Sequence, residues 1–175
     1  QTVAGLDDVL LASHYSGRPL DPGADEIWDR APGAASSRLR LVQWTDPQDL
    51  QAKLIAELVA ALGLANSDDE VGFEESLGGA RFKDLDRAFF SNRWGDNPGS
   101  ASKAEAWQLL SPIRAGLEGV DAINRTIQER FRRRWREIAT ADGWGRKMPR
   151  PFGRQSIIYG DKVINVVNQK RRDVW

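Results

Sequence analysis

The side chains that could do chemistry in this chain are mainly carboxylates and guanidinium groups, because cysteine is absent and His14 is the only histidine. Disulfides and a cysteine nucleophile are excluded, and one imidazole makes a histidine metal site or a Ser-His-Asp triad very hard to assemble. The acidic residues Glu70, Glu74 and Glu75 have no evident cleft or partner, so we interpret them as a solvated acidic loop. Arginine remains the best candidate, since its guanidinium is permanently charged and can fork onto phosphate oxygens.

A complete nucleotide site is not predicted. The sequence contains no Gly-x-x-x-x-Gly-Lys-Ser/Thr loop to cradle phosphates, and no acidic pair at the end of a buried strand to hold Mg²⁺. The pair Asp25-Glu26 follows a glycine-containing turn, which favours a helix N-terminus instead.

Charge is distributed unevenly along the chain although the net charge is zero. Residues 125–175 carry 14 Lys/Arg against 5 Asp/Glu, net +9, and the first 124 residues carry 11 against 20. A basic C-terminal third suggests a polyanionic partner.

Several basic and aromatic side chains in this third could bind nucleic acid. Phosphate contacts are predicted for Arg132, Arg133 and Arg136 on one helix, with Arg134 beside them, and for Lys162, Lys170, Arg171 and Arg172, with Lys147, Arg150 and Arg154 as similar cases. A solvated helix face is an equally good interpretation of the arginine run. Base-stacking candidates are Trp144, Phe152, Tyr159 and Trp175, for which a position in the core is the alternative.

Two strand-helix units must position these residues. Residues 39–44 form a predicted strand, and Thr45-Asp46-Pro47 starts a helix that runs to Gly63. Residues 107–111 form a second predicted strand, after which apolar residues from Val120 to Ile138 mark a long amphipathic helix. Two such units in series predict an α/β layer with parallel strands.

The other segments are less regular. Residues 1–38 are predicted to be a connecting segment, and residues 64–105 an insertion whose aromatic residues fold partly onto the body. Residues 143–175 are β-rich around a Gly160-Asp161 turn and end without room for partner strands, which predicts a truncated β-subdomain.

Two segments resemble the RecD-like family of superfamily 1 DNA helicases. Residues 107–128, with Ser111-Pro112-Ile113-Arg114, Gly116, Asn124 and Gln128, resemble helicase motif IV. Residues 159–168, which include Gly160-Asp161-Lys162, are similar to the segment that opens the small β-barrel inserted in the second motor domain. The resemblance implies that residues 39–142 are a partial RecA-like second motor domain, interrupted by the insertion, and that 143–175 begin the barrel.

The resemblance also implies ATP-driven translocation on single-stranded DNA with ATP and Mg²⁺ as cofactors. Arg114 would reach the nucleotide phosphates across the interdomain cleft, whereas the alternative is an arginine paired with a surface carboxylate. Asn124 and Gln128 match the family pattern, with capping or bracing of the helix as the alternative role. We expect the first motor domain upstream of Gln1 and further motifs downstream of Trp175, so the chain alone should be inactive.

Other partners and classes remain open. The unpaired edge of residues 157–168 is expected to recruit a second copy as a homodimer or to be poorly ordered. The absence of an apolar stretch of membrane-spanning length and of a signal peptide predicts a cytoplasmic protein without membrane contact. A stand-alone nucleic-acid-binding module and a protein-interaction module without ATPase activity are the alternatives to the helicase fragment.

Overall fold

The structure of the chain, a computed structural model, describes residues 7–20, 24–25, 28, 40–81, 86–96, 98–103, 105–141 and 148–163. It divides into two units, Gln1–Thr45 and Asp46–Trp175. In the first unit, helix α1 spans Asp7–His14, and the His14 ring packs edge-on against Trp28. Its Nε2 atom lies 3.2 Å from the carbonyl oxygen of Ala24, so the lone histidine is held by neighbours in its own unit.

Helix α2 spans Pro47–Leu62 and confirms the helix predicted from its capping residues. Asp46 Oδ1 accepts a hydrogen bond from the Asp49 amide at 2.9 Å, which satisfies one of the free amides of the first turn. Gly63 ends the helix at φ 65°, a left-handed conformation that glycine adopts without a steric cost. Leu58 is buried on the inner face, and its neighbours on that face pack around it.

The predicted insertion of residues 64–105 supplies much of the core of the second unit. Helix α3, Glu70–Ser76, begins at Asp69, whose side chain accepts from the Gly72 amide. Phe73 stacks on Phe131 with ring centroids 4.7 Å apart, and Leu64 and Leu77 are buried beside them. These residues are integral to the packing, because apolar area removed from water is the main favourable contribution to folding.

The sheet of the described residues is small and antiparallel. Strand β1, Ala80–Arg81, pairs with strand β2, Ala88–Phe89, so that Ala80 lies opposite Phe89. Neither predicted parallel strand is formed: residues 40–44 and 107–111 lie outside helix and strand, and residue 39 is not described. Leu110 is 86% exposed, whereas Trp107 at the start of this run packs against the buried cluster that contains Phe73. The predicted α/β layer therefore has no parallel strand pair in the described part of the chain.

The long helix predicted after Val120 is divided in two. Helix α4 spans Val120–Phe131 and helix α5 spans Arg133–Thr140, with Arg132 between them at φ −129° and ψ 18°. Trp135 and Ala139 of α5 form a second buried cluster with Ile158, which lies in the predicted β-subdomain.

Residues 148–163 fold within the second unit. The backbones of Phe152 and Ile157 exchange two hydrogen bonds, of 2.8 and 2.9 Å, and close a short hairpin. Of the predicted edge 157–168, only residues 157–163 are described, so the homodimer remains a prediction. No helix among the described residues is long and apolar enough to cross a membrane.

Candidate functional site

Arg114 lies in a compact loop that leads into α4. The Ser111 hydroxyl donates to the Glu118 carbonyl at 3.1 Å, and the Val120 amide donates to the Ile113 carbonyl at 3.0 Å. Gly116 has φ 87°, and a Cβ atom at Gly119 would overlap the backbone of Arg114. Serine and the two glycines of the motif thus close the loop, and Arg114 is presented on its exposed side.

The loop of Arg114 carries exposed apolar side chains and the carboxylate of Glu118, which lies against Gly116. Leu110, Ile113 and Leu117 are all exposed, while the Arg114 guanidinium makes no hydrogen bond or ion pair with the described residues. A guanidinium in this setting can fork onto anionic oxygens, and the attraction strengthens if a second surface covers the loop and excludes water. The sequence alternative, a pairing with a surface carboxylate, does not occur among the described residues.

A charged hub lies in the interior and consists of Glu74, Arg132, Tyr159 and Asp161. Arg132 is 1% exposed and donates through Nη1 to Glu74 Oε1, through Nη2 to the Tyr159 carbonyl, and through Nε to Asp161 Oδ1 at 3.4 Å. Its guanidinium is also stacked near the Phe90 and Trp135 rings. Arg132 was predicted to contact DNA, whereas in the structure its guanidinium is buried and donates inward to the hub.

Glu74 corrects a second expectation. It is 1% exposed rather than part of a solvated loop, and its Oε2 accepts from the Ala88 amide at 2.8 Å. Burial raises the pKa of Glu74 above its ordinary value, although the Ala88 hydrogen bond and the Arg132 charge act in the opposite direction. The hub therefore ties α3, β2 and the junction of α4 and α5 to residues 158–161.

The two segments that resemble the helicase family meet at this hub. Gln128 Nε2 donates to Asp161 Oδ2 at 2.6 Å, and the same oxygen accepts from the Ile158 amide at 3.0 Å. Gly160 has φ 82°, and a Cβ atom there would overlap the Phe90 ring. Asn124, by contrast, is exposed. Gln128, Gly160 and Asp161 are thus packing residues of one structural unit.

The other predicted phosphate contacts are balanced by carboxylates. Arg133 lies 3.6 Å from Glu70, and Arg136 lies 3.7 Å from Glu129. Lys162 donates to the Trp107 carbonyl at 3.1 Å and lies 3.9 Å from Glu105. Arg134 and Arg130 have similar partners in Asp86 and Asp68. The arginine-rich helix is therefore largely neutralised, mostly by acidic residues of the insertion, while Lys170, Arg171 and Arg172 lie outside the described residues.

The hairpin of residues 152–157 carries the remaining candidates. Phe152 is 76% exposed, whereas the Tyr159 ring contacts Phe90 and Trp135 at centroid distances of 5.8 and 5.6 Å. Arg154 extends into solvent and lies 3.2 Å from Asp121 in the first turn of α4. This hairpin and the Arg114 loop thus adjoin the same end of α4. Trp144 and Trp175 are not described.

A shallow groove of about 500 Å³ lies between α2 and α4, lined by Gln48, Gln51, Ala52, Ile55, Ala56, Ser67, Thr126 and Arg130. None of its lining residues is one of the predicted site residues, so we assign it no role. The described residues also contain no cluster of three His, Asp or Glu side chains that would fit a metal ion such as Mg²⁺. Comparison with known proteins found no matching family model, curated protein or solved structure.

Proposed function

We propose that this chain is part of an ATP-dependent DNA helicase or translocase that acts on single-stranded DNA. In this proposal the chain supplies one wall of the interdomain ATP cleft, through Arg114, and part of the DNA-binding surface. The observation that carries the proposal is the hydrogen bond between Gln128 and Asp161. It joins the two segments that resemble the family, as expected if both belong to one domain.

The role of Arg114 follows from its position. An exposed guanidinium on a tightly closed loop that also carries exposed Ile113 and Leu117 is suited to contact a nucleotide held by a second domain. It would stabilise charge that develops on the transferred γ-phosphoryl group, an effect of about 10³–10⁵ in rate for arginine fingers. The described residues contain no cluster that fits a Mg²⁺ ion, so residues outside this part of the chain would have to hold it.

The proposal keeps a partial RecA-like motor domain as the fold. A strand needs a neighbouring strand to pair with, and residues 40–44 and 107–111 pair with no strand in the described part of the chain. Exposed Leu110 is the kind of side chain that a neighbouring strand or helix would cover. These two segments would become strands only beside partners supplied by the complete domain.

The test measures ATP turnover by the full-length natural protein that contains this chain, with and without single-stranded DNA. Arg114→Ala should lower the rate of ATP turnover by at least about 10³ and leave the affinity for single-stranded DNA unchanged. Arg125→Ala is the matched control: it removes an exposed arginine that lies on α4 rather than in the loop, and it should leave turnover unchanged. No ATPase activity in the full-length product, or equal turnover in the Arg114 variant, would overturn the proposal.

A stand-alone nucleic-acid-binding module is the second candidate, and the exposed Phe152 and Arg154 of the hairpin favour it. If the full-length natural protein has no phosphate-binding loop and binds single-stranded DNA in a salt-sensitive manner, this candidate is supported over the first.

A further inference from the structure

The hairpin of residues 152–157 is rigid at its base and open at its tip. The paired hydrogen bonds between Phe152 and Ile157 fix the backbone, and the Ser156 amide donates to the Gly153 carbonyl at 3.1 Å to close the turn. Gly153 has φ 67°, and Ser156 has φ 52°, which is uncommon for a residue with a side chain. Such local strain persists only where the surroundings hold the turn in one conformation.

This rigid turn places an aromatic ring in water. Phe152 is 76% exposed, although phenylalanine is among the residues that gain most from burial. A single exposed apolar side chain is ordinary by itself. Here, however, the backbone that carries the ring is already ordered, so a flat partner can stack on the ring without an entropic cost for fixing the backbone.

The charge around the ring selects the kind of partner. Residues 148–160 contain two basic residues, Arg150 and Arg154, and no acidic residue. The Arg154 side chain is 88% exposed, and among the described residues it is held only by Asp121, at 3.2 Å. An exposed ion pair of this type contributes about 1 kcal/mol or less, so a phosphate group can replace the carboxylate.

We propose that this hairpin is a contact site for single-stranded nucleic acid, in which Phe152 stacks on a base and Arg154 binds an adjacent phosphate. The inference rests on the proposed function for the choice of nucleic acid over an acidic peptide. An unpaired strand is required because the face of a base is accessible to a side chain only outside the duplex stack. In the unbound protein Arg154 pairs with Asp121, and this ion pair breaks when the strand binds.

The test measures binding of a fluorescent oligothymidylate to this chain at low ionic strength by anisotropy. Phe152→Ala should weaken binding about tenfold, within the range of base-aromatic stacking, whereas Phe152→Trp should retain it. A 2-aminopurine base in the oligonucleotide should be quenched by the wild-type chain and not by the alanine variant. Arg154→Ala should lower the slope of log affinity against log salt concentration by about one.

Two further variants make the test specific. Asp121→Asn keeps the oxygen that accepts from Gln155 Nε2 at 2.8 Å but removes the charge beside Arg154, so it should tighten binding. Trp94→Ala removes an aromatic residue of 86% exposure from another part of the unit and should leave binding unchanged. Circular dichroism of each variant verifies that the fold is retained.

The proposal is overturned if Phe152→Ala binds as well as the wild type, if Trp94→Ala loses as much affinity, or if duplex and single-stranded DNA bind equally. It is also overturned if an acidic peptide binds at the hairpin and the oligonucleotide does not. None of these results decides the ATPase proposal, which depends on Arg114. If Phe152→Ala loses binding and quenching while the natural protein has no ATPase activity, the hairpin site is supported and the ATPase proposal is not.

Discussion

Gln128 donates a hydrogen bond to Asp161 across 33 residues of sequence, at a distance of 2.6 Å between Nε2 and Oδ2. Asp161 is only 11% exposed at its side chain and also lies 3.4 Å from the Arg132 guanidinium. A hydrogen bond to a charged, poorly hydrated carboxylate is stronger than an average one. This contact is therefore expected to contribute measurably to the stability of the second unit.

A double-mutant cycle tests this contact. Gln128→Ala and Asp161→Ala, singly and together, should give a coupling free energy of unfolding of about 1–3 kcal/mol in urea titrations. Asn124→Ala combined with Asp161→Ala is the matched control on the same helix and should couple by less than about 0.5 kcal/mol, since Asn124 is exposed. Equal coupling in both cycles would mean that Gln128 has no specific role.

A pair of glycine substitutions separates steric overlap from backbone strain. Gly153 and Gly160 both have positive φ, but a Cβ atom at Gly153 meets no atom within 4 Å, whereas one at Gly160 overlaps Phe90 and Arg132. Gly153→Ala should lower the free energy of unfolding by about 1–2 kcal/mol, the cost of the left-handed conformation. Gly160→Ala should lower it by a further 1–3 kcal/mol, roughly the cost of overpacking. Equal losses in chemical denaturation would show that the space around Gly160 adjusts freely.

The buried position of Arg132 gives a third prediction. Arg132→Met leaves Glu74 and Asp161 buried without their partner, which should lower the free energy of unfolding by about 3–5 kcal/mol. Arg133→Met, at an adjacent exposed arginine, should lower it by less than about 1 kcal/mol. If Arg132→Met instead kept full stability and weakened DNA binding, Arg132 would be a DNA contact as the sequence suggested.

The raised pKa of Glu74 gives a fourth prediction, which concerns the pH dependence of stability. Between the ordinary glutamate pKa of the unfolded chain and the raised pKa of the folded chain, the native state binds more protons, so the carboxyl contributes less stability as pH rises. Glu74→Gln cannot titrate. The difference in free energy of unfolding between wild type and variant should therefore shift against the wild type as pH increases through this window. Urea titrations at several pH values measure it, and a shift in the opposite direction would mean that attraction to Arg132 exceeds the cost of burial.

Local signals predicted the local elements. Asp46 and Gly63 marked both ends of α2 correctly, because capping depends on residues next to the helix. The strand predicted at residues 107–111 failed for the opposite reason. A short apolar run does not specify what will cover it, and Leu110 is left in water.

The hub was missed because its charges look identical to solvated ones in sequence. The partner of Glu74 is Arg132, 58 residues away in sequence, and the residues next to Glu74 do not indicate this contact. A weak signal was nevertheless present at Arg132, which lies three residues before Trp135 and seven before Ala139. That spacing places it on the apolar face of the helix, unlike Arg133 and Arg134.

The hub also constrains the order in which the second unit can be completed. Glu74 is made first, Arg132 later, and Tyr159 and Asp161 last, so a growing chain has the carboxylate and the guanidinium before it has the residues that complete the set. The contact between Glu74 and Arg132 closes a loop of 58 residues, and this closure has an entropic cost that the formation of a local helix does not have. Helices α2 and α4 depend on local contacts and can form early, whereas the set of hydrogen bonds around Arg132 is complete only once residues 158–161 have joined it.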